Sequence, residues 1–374
     1  MALPFLLAKL SLLPRVFQPT YDALFSTLPF WQRWRLLLLQ PINILVSILL
    51  SPSWLFNNRY SVLYIPTRSG RKRCLIYQPP GSSSRLLDER QGEGNKLKPL
   101  HINIHGGGFI GGIAEQDSRW CSYLSNRTDA VVVSLTYRIA PRHTFPAAHE
   151  DVDDLVEWVL DHAMDVFGAD KNLMTLGGAS AGGNLALSAA IGLYRKNKYT
   201  ETRGVNVGGS GMKTERVEAK AFLGFCVPLD FRIKPEEKPK PPHFPTRDPT
   251  AFLLPLFDAY AGLSRAENLA NPRLNLIVAD KATLPGEVLF VVAGIDILLH
   301  EQLTFVQRVE AELEREGNTG QRIEALVVEK GFHGWLELPS YILEEERMRA
   351  FDAAVDFIRN LHGRYGWEYD DNSR

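Results

Sequence analysis

Leu173-Met174-Thr175-Leu176-Gly177-Gly178-Ala179-Ser180-Ala181-Gly182-Gly183-Asn184 is the stretch that decides how this chain folds. The apolar run Leu173 to Leu176 predicts a strand, and the pattern from Ala181 to Tyr194 predicts a helix starting just after Ser180. Between them lies Gly-x-Ser-x-Gly. A serine on so sharp a strand-to-helix turn must accept strained backbone angles, and in return its hydroxyl projects beyond the sheet edge. Gly178 and Gly182 let strand and helix approach closely enough for that. The helix N-terminus behind Ser180 adds a positive dipole where an oxyanion would develop.

Upstream, His105-Gly106-Gly107-Gly108 directly follows the strand candidate Leu100 to Ile104. Consecutive glycines leave peptide N–H groups free to point into one concavity, since no side chain blocks the approach. In acyl transfer that concavity would receive the tetrahedral oxyanion, with the N–H groups of Gly106 and Gly107 joined by that of Ala181. The rival reading is a phosphate cradle, but GxxxxGK[ST] is absent and the glycines do not form GxGxxG.

A serine nucleophile needs a base, and the base needs an orienting acid. Downstream, the strand candidate Val288 to Val292 leads into Ala293-Gly294-Ile295-Asp296, and Ile323 to Val328 leads into Gly331-Phe332-His333-Gly334-Trp335. Asp296 and His333 are therefore the candidate acid and base, with Glu301 as the alternative acid. Of the other histidines after Ser180, His243 lies in a Pro-rich segment and reads as surface, while His300 and His362 sit at helix ends and read as caps. The order Ser, Asp, His matches an α/β-hydrolase and differs from the chymotrypsin and subtilisin orders.

Further strand candidates at Cys74 to Tyr77, Ala130 to Leu135 and Ala219 to Val227 alternate with helical stretches at Pro146 to His162, His300 to Glu316 and Leu343 to Leu361. That alternation predicts an α/β fold with a mostly parallel sheet and helices on both faces. Gly81 to Lys98 and Lys198 to Arg216 read as solvated loops, and Lys234 to Pro249, followed by an apolar helix near Phe252 to Tyr260, as a structured insertion leaning over the site.

The 374 residues carry 42 Lys plus Arg against 43 Asp plus Glu, so no global field attracts a polyanion and nucleic acid is not expected as a partner. Three scattered cysteines, Cys74, Cys121 and Cys226, predict neither a zinc site nor a disulfide framework. Composition shifts sharply at the start: residues 1–58 are rich in Leu, Phe and Trp and hold Lys9, Arg15, Arg33 and Arg35 against the single acid Asp22. No cleavable signal is read there, because Pro4 and Lys9 interrupt the first apolar run. The second run, Leu36 to Leu50, is shorter and more polar than the roughly 20 residues of a spanning helix. The segment is read as helices over the mouth of the main domain, with peripheral membrane contact as the alternative, giving a cytoplasmic or membrane-associated protein.

With these motifs in order, the chain resembles the hormone-sensitive-lipase-like branch of the α/β-hydrolase superfamily. His105 to Gly108 is similar to its HGGG, Gly178 to Asn184 to its GxSAGGN, Tyr137 to Pro141 with Phe145 to Ala148 to its YRLAP and FPAA, and Gly294 to Leu298 to its GxDxL. The resemblance covers residues 60–362. It implies an esterase acting on small carboxylic esters without cofactor or metal, and the Leu-, Phe- and Trp-rich composition of the first 58 residues leans toward hydrophobic ones. It also implies a cap built from residues 1–59 and an insertion over 233–269, leaving 363–374 as a polar tail. Ala179 replaces an acid common in the branch, and Arg142 replaces a Glu. The same triad would serve an amide or lactone hydrolase or an acyltransferase, and receptor-like relatives of the branch that lack the histidine bind without turnover.

Overall fold

Residues with alternate side chains facing opposite ways need cover on both faces, and the described residues of this computed structural model (7, 9–25, 28–55, 59–80, 96–203, 217–246 and 254–369) supply it. Eight strands form one sheet in the order β1-β2-β4-β3-β5-β6-β7-β8. They are β1 (Tyr60–Thr67), β2 (Gly70–Tyr77), β3 (Lys98–Ile104), β4 (Val131–Leu135), β5 (Ala169–Ala179), β6 (Ala221–Phe225), β7 (Glu287–Ile295) and β8 (Arg322–Phe332). The first two pair antiparallel, β2 pairs antiparallel with β4, and every pairing from β4 to β8 is parallel.

Side chains divide by parity. Leu100, Ile102, Ile104, Val131 and Val133 face one core together with Val152 and Leu155 of α4 (Ala147–Asp161) and Leu187 of α5 (Ala181–Arg203). Helix α7 (Leu299–Glu316) adds Phe305 and Val309 to that layer. Leu75, Val132, Leu223 and Leu289 face a second core with Trp120 and Leu124 of α3 (Ser118–Thr128) and Phe351 and Ile358 of α8 (Glu344–Arg364). Each such buried side chain contributes about 1.5–3 kcal/mol of transfer free energy.

The predicted fold class is the one observed, with particular differences. β1, at the sheet edge and mostly half-exposed, was not among the strand candidates although Val62 to Ile65 is an apolar run. β2 begins four residues before the predicted Cys74 because its outer half, Gly70 to Arg73, is polar and faces outward. Helix α3 is polar enough in sequence to escape prediction, yet it buries Trp120, Cys121 and Leu124 along one stripe. His362, read from the sequence as compensating a helix end, is fully buried instead, with Nδ1 2.8 Å from the Tyr369 hydroxyl. Burial pushes its pKa down to about 4, so it is neutral and carries no charge for a dipole.

Ahead of the sheet, α1 (Leu13–Phe25) and α2 (Phe30–Leu55) pack on each other. α2 runs unbroken past Pro41 and Pro52. The pair is fastened to the sheet domain: Arg15 Nε donates to the Gly112 carbonyl (3.0 Å), and Arg142 meets the buried Asp22 carboxylate (3.3 Å). Ala23, Leu36 and Leu39 join the first core. Most of the loop at Gly81 to Lys98, the second half of Lys198 to Arg216, the end of the Pro-rich segment and the last tail residues lie outside the described residues.

In α8, Gly363 is exposed, and a Cβ built there meets nothing within 4 Å. Gly363→Ala is therefore expected to raise stability by about 0.5–1 kcal/mol, because alanine restricts the unfolded chain and suits a helix. A thermal melt of the variant beside the parent checks this.

Candidate active site

The C-terminal ends of β3, β5, β7 and β8 converge on one cavity of about 1270 Å³. Ser180 occupies the turn between β5 and α5 with φ +51°, a left-handed conformation that a side chain adopts only when its surroundings enforce it. Two things enforce it here: Ser180 N–H donates to the Phe225 carbonyl at the end of β6 (2.7 Å), and Asn184 N–H returns to the Ser180 carbonyl (3.2 Å). The Asn184 side chain is itself buried and donates to the carbonyls of Pro228 (2.9 Å) and Leu274 (3.3 Å), holding the start of α5 to two neighbouring loops.

β7 and β8 end in register, Ile295 opposite Phe332, so the next residue on each strand is a neighbour of the other. Those residues are Asp296 and His333. His333 Nδ1 donates to Asp296 Oδ2 (2.8 Å), and the Ser180 hydroxyl donates to His333 Nε2 (2.9 Å). Asp296 is almost completely buried, and its other oxygen accepts the Leu298 N–H (3.0 Å), which fixes the carboxylate plane. Burial disfavours the imidazolium, but the charge and hydrogen bond of Asp296, with a further contribution from Glu337, outweigh it and raise the His333 pKa above its ordinary value. Glu301 is elsewhere. Its carboxylate accepts the Leu229 N–H (2.7 Å) and the Lys238 ammonium (2.5 Å), so it tethers the Pro-rich segment and does not orient His333.

The glycine turn after β3 is propped from behind. Tyr137 stacks on His105 at 4.6 Å, and its hydroxyl donates to the carbonyls of His105 (2.9 Å) and Gly106 (3.2 Å). His105 Nδ1 donates to the Gly106 carbonyl (2.7 Å), and burial pushes the ring's pKa down to about 3. His105 is thus a neutral prop and has no proton to exchange near neutrality. Arg138, the next residue of that motif, is held by Asp151 (3.0 Å) away from the cavity. Gly107 and Gly108 line the cavity with Ala181, whereas Gly106 does not. Gly106 lies against the end of β5, where a Cβ would come 3.0 Å from the Ala179 carbonyl oxygen.

Four further side chains face the cavity without having been singled out in the sequence. Asp117, just before α3, is buried and accepts from Asn103 Nδ2 (2.8 Å), and Glu337 accepts from Gln116 Nε2 (3.2 Å). Burial raises both carboxyl pKa values; that of Glu337 reaches about 7, with His333 pulling it back. Leu39 of α2 lines the same cavity, and the Phe257 ring of the short helix α6 (Leu254–Phe257) lies directly over Gly108. No spacing rule marks these residues, because they come from separate elements. Among the described residues, no cluster of three or more His, Cys, Asp or Glu is placed to hold a metal ion.

Comparison with known proteins agrees with this architecture. The model of a family described as alpha/beta hydrolase fold matches residues 101–337. The 3-O-acetylpapaveroxine carboxylesterase CXE1 of Papaver somniferum is 26% identical over 312 residues, covering 77% of this chain and 87% of that protein. Esterase LipI of Mycobacterium tuberculosis is 41% identical over 88 residues, and the Saccharolobus solfataricus arylesterase 33% over 141. Those two matches span only 27% and 45% of the relatives' lengths. Among solved structures, an esterase of Pyrobaculum calidifontis superposes with a TM-score of 0.61 at 26% identity, covering 84% of this chain and 90% of the other.

Proposed function

The chain belongs to the α/β-hydrolase fold family, on its hormone-sensitive-lipase-like branch, and from that premise we propose that it is a serine hydrolase of carboxylic esters. The observation that carries the reading is the unbroken hydrogen-bond chain from Ser180 through His333 to Asp296 at the floor of the cavity. His333 Nε2 takes the hydroxyl proton as Ser180 Oγ bonds to the ester carbonyl carbon, and Asp296 holds the imidazole in the tautomer that leaves Nε2 free to accept. Charge on the former carbonyl oxygen is met by N–H groups of the glycine turn, Gly106 to Gly108, and of Ala181; Gly107, Gly108 and Ala181 line the cavity. The tetrahedral species collapses as His333 returns the proton to the departing alcohol. Water then attacks the acyl-Ser180 ester by the same route in reverse, releasing the acid.

The cavity surface is largely apolar, with Phe225, Phe231 and Phe257 among its walls, which supports hydrophobic esters as the substrate class. Residues 1–59 and the insertion over 233–269 are assigned to the cap of this hydrolase, since Leu39, Ile233 and Phe244 all reach the cavity. A fluorophosphonate probe tests the activated serine directly: the protein is expected to be labelled and Ser180→Ala to remain unlabelled. Labelling that persists in the variant removes Ser180 from its role.

Glu337 also predicts a pH effect. Its carboxylate favours the imidazolium of His333, whereas catalysis needs the neutral ring, so the pKa of His333 sets the acid limb of kcat/KM. Glu337→Gln removes that favouring charge and is expected to move the limb to lower pH. Because Glu337 itself titrates at about 7, its progressive protonation also stretches the parent's limb, and the variant should show a single steeper titration. A limb that stays in place or moves upward overturns the assignment.

A further inference from the structure

A surface helix of a globular domain normally turns its polar face to water. Here the polarity is inverted. More than half of the large hydrophobic side chains exposed among the described residues fall between Leu7 and Ile48. On α1 they form one stripe, Leu13, Phe17, Tyr21 and Leu24, while Pro19, Asp22 and Ala23 are buried on the opposite side. The stripe continues through Phe25 (71% exposed) and Phe30 (79% exposed) at the turn between the helices, and along α2 through Trp31, Leu38 and Leu45.

Charge narrows what can cover this face. Asp22 is the only acidic residue between residues 7 and 55, and its side chain is 1% exposed against Arg142. The accompanying cations are Arg33 and Arg35, both half-exposed, with the Arg35 guanidinium 4.4 Å over Trp34 and 5.6 Å over Trp31. A second copy of the same chain, docked face to face, would bring arginine against arginine with no anion between them. An anionic lipid surface answers both features, since aromatic rings and arginines suit the headgroup boundary and the apolar stripe suits the acyl region beneath it. Among the described residues no helix is long and apolar enough to cross a membrane, so the pair would lie on the surface.

We propose that α1 and α2 form an interfacial docking face for an anionic lipid bilayer. The underside of α2 buries Leu36 and presents Leu39 to the cavity, so one helix separates lipid from the cavity. Given the esterase reading, the substrates are sparingly soluble esters drawn from the bilayer. The docking itself does not depend on that reading.

The test is co-sedimentation of the full chain with vesicles of phosphatidylcholine alone or phosphatidylcholine containing phosphatidylserine, beside the triple variant Phe17→Ser, Phe25→Ser, Phe30→Ser. The parent is expected to pellet with the mixed vesicles, less with neutral ones and less at high salt, and the variant to lose roughly tenfold or more in partitioning. Its turnover of a short water-soluble ester and its melting temperature should match the parent's, showing that the fold and the reacting centre are intact. A parent that stays in the supernatant, or a variant that pellets equally, overturns the proposal. So does a parent that is dimeric by light scattering and becomes monomeric in the variant without either pelleting, which would assign the face to a second copy. Loss of ester turnover in both proteins with partitioning unchanged would count against the hydrolase reading alone.

Discussion

Ser180→Ala is expected to lower kcat for a small p-nitrophenyl ester by about 10⁵- to 10⁶-fold, equivalent to roughly 7–8 kcal/mol of transition-state stabilisation. The size follows from what the substitution removes. Without Oγ no acyl-enzyme forms, and His333 is left aimed at an empty position; only oxyanion binding and substrate positioning remain, which in comparable sites are worth about 10³–10⁴ over water. The loss should fall in kcat with KM little changed, because the methyl group of alanine fills part of the same space and the apolar walls still bind the ester. The positive φ of Ser180 makes it important to record the variant's melting temperature beside its rate, since alanine must occupy the same strained turn. A folded Ser180→Ala that turns over the ester within tenfold of the parent would sink the mechanism. A parent inactive on every ester and unlabelled by fluorophosphonate would favour the receptor-like reading that the presence of His333 argues against.

The residues of the proposed triad stand out in the sequence, and the reason is geometric. Ser180, Asp296 and His333 each stand one position past the end of a parallel strand and four or five past the apolar run that marks it in the sequence, so periodicity locates the loop and the Gly-x-Ser-x-Gly and Gly-flanked residues single out the positions. Their meeting in space was not legible; it follows from β7 and β8 ending in register at Ile295 and Phe332, and from the β6 carbonyl of Phe225 that holds the Ser180 turn. The glycine turn Gly106 to Gly108 was legible as a turn, but not its support from outside the motif, where the Tyr137 hydroxyl donates to the carbonyls of His105 and Gly106. Asp117 and Glu337 stayed hidden for the same reason: each becomes part of the site only through a neighbour, Asn103 or Gln116, contributed by another element. Polar helix α3 was missed because its exposed side dilutes the hydrophobic signal of the stripe it buries.

Gly182→Ala is expected to cost about 3 kcal/mol or more of folding stability, lowering the melting temperature by on the order of 10 °C or leaving the protein insoluble. A Cβ at this position would lie 1.9 Å from the Ile104 carbonyl oxygen and 2.5 Å from that of His105. Both atoms are backbone at the end of β3, and β3 is paired on one side with β4 and on the other with β5, so no side-chain rotation relieves the contact. Relief requires the start of α5 to withdraw from the sheet. That withdrawal would carry Ser180 and the Ala181 N–H away from Gly107 and Gly108, since one turn of helix holds both, and any soluble fraction should therefore be slow as well as unstable. Gly363→Ala provides the control, because it exchanges the same two residue types in a helix with open space around the site. If the cost came from glycine's backbone freedom in general, both variants would suffer. If it comes from the close approach of α5 to β3, only Gly182→Ala will. A Gly182→Ala protein that melts within about 2 °C of the parent and keeps its turnover would show that helix and strand can separate without penalty, and the account of why this turn is built from glycines would fail.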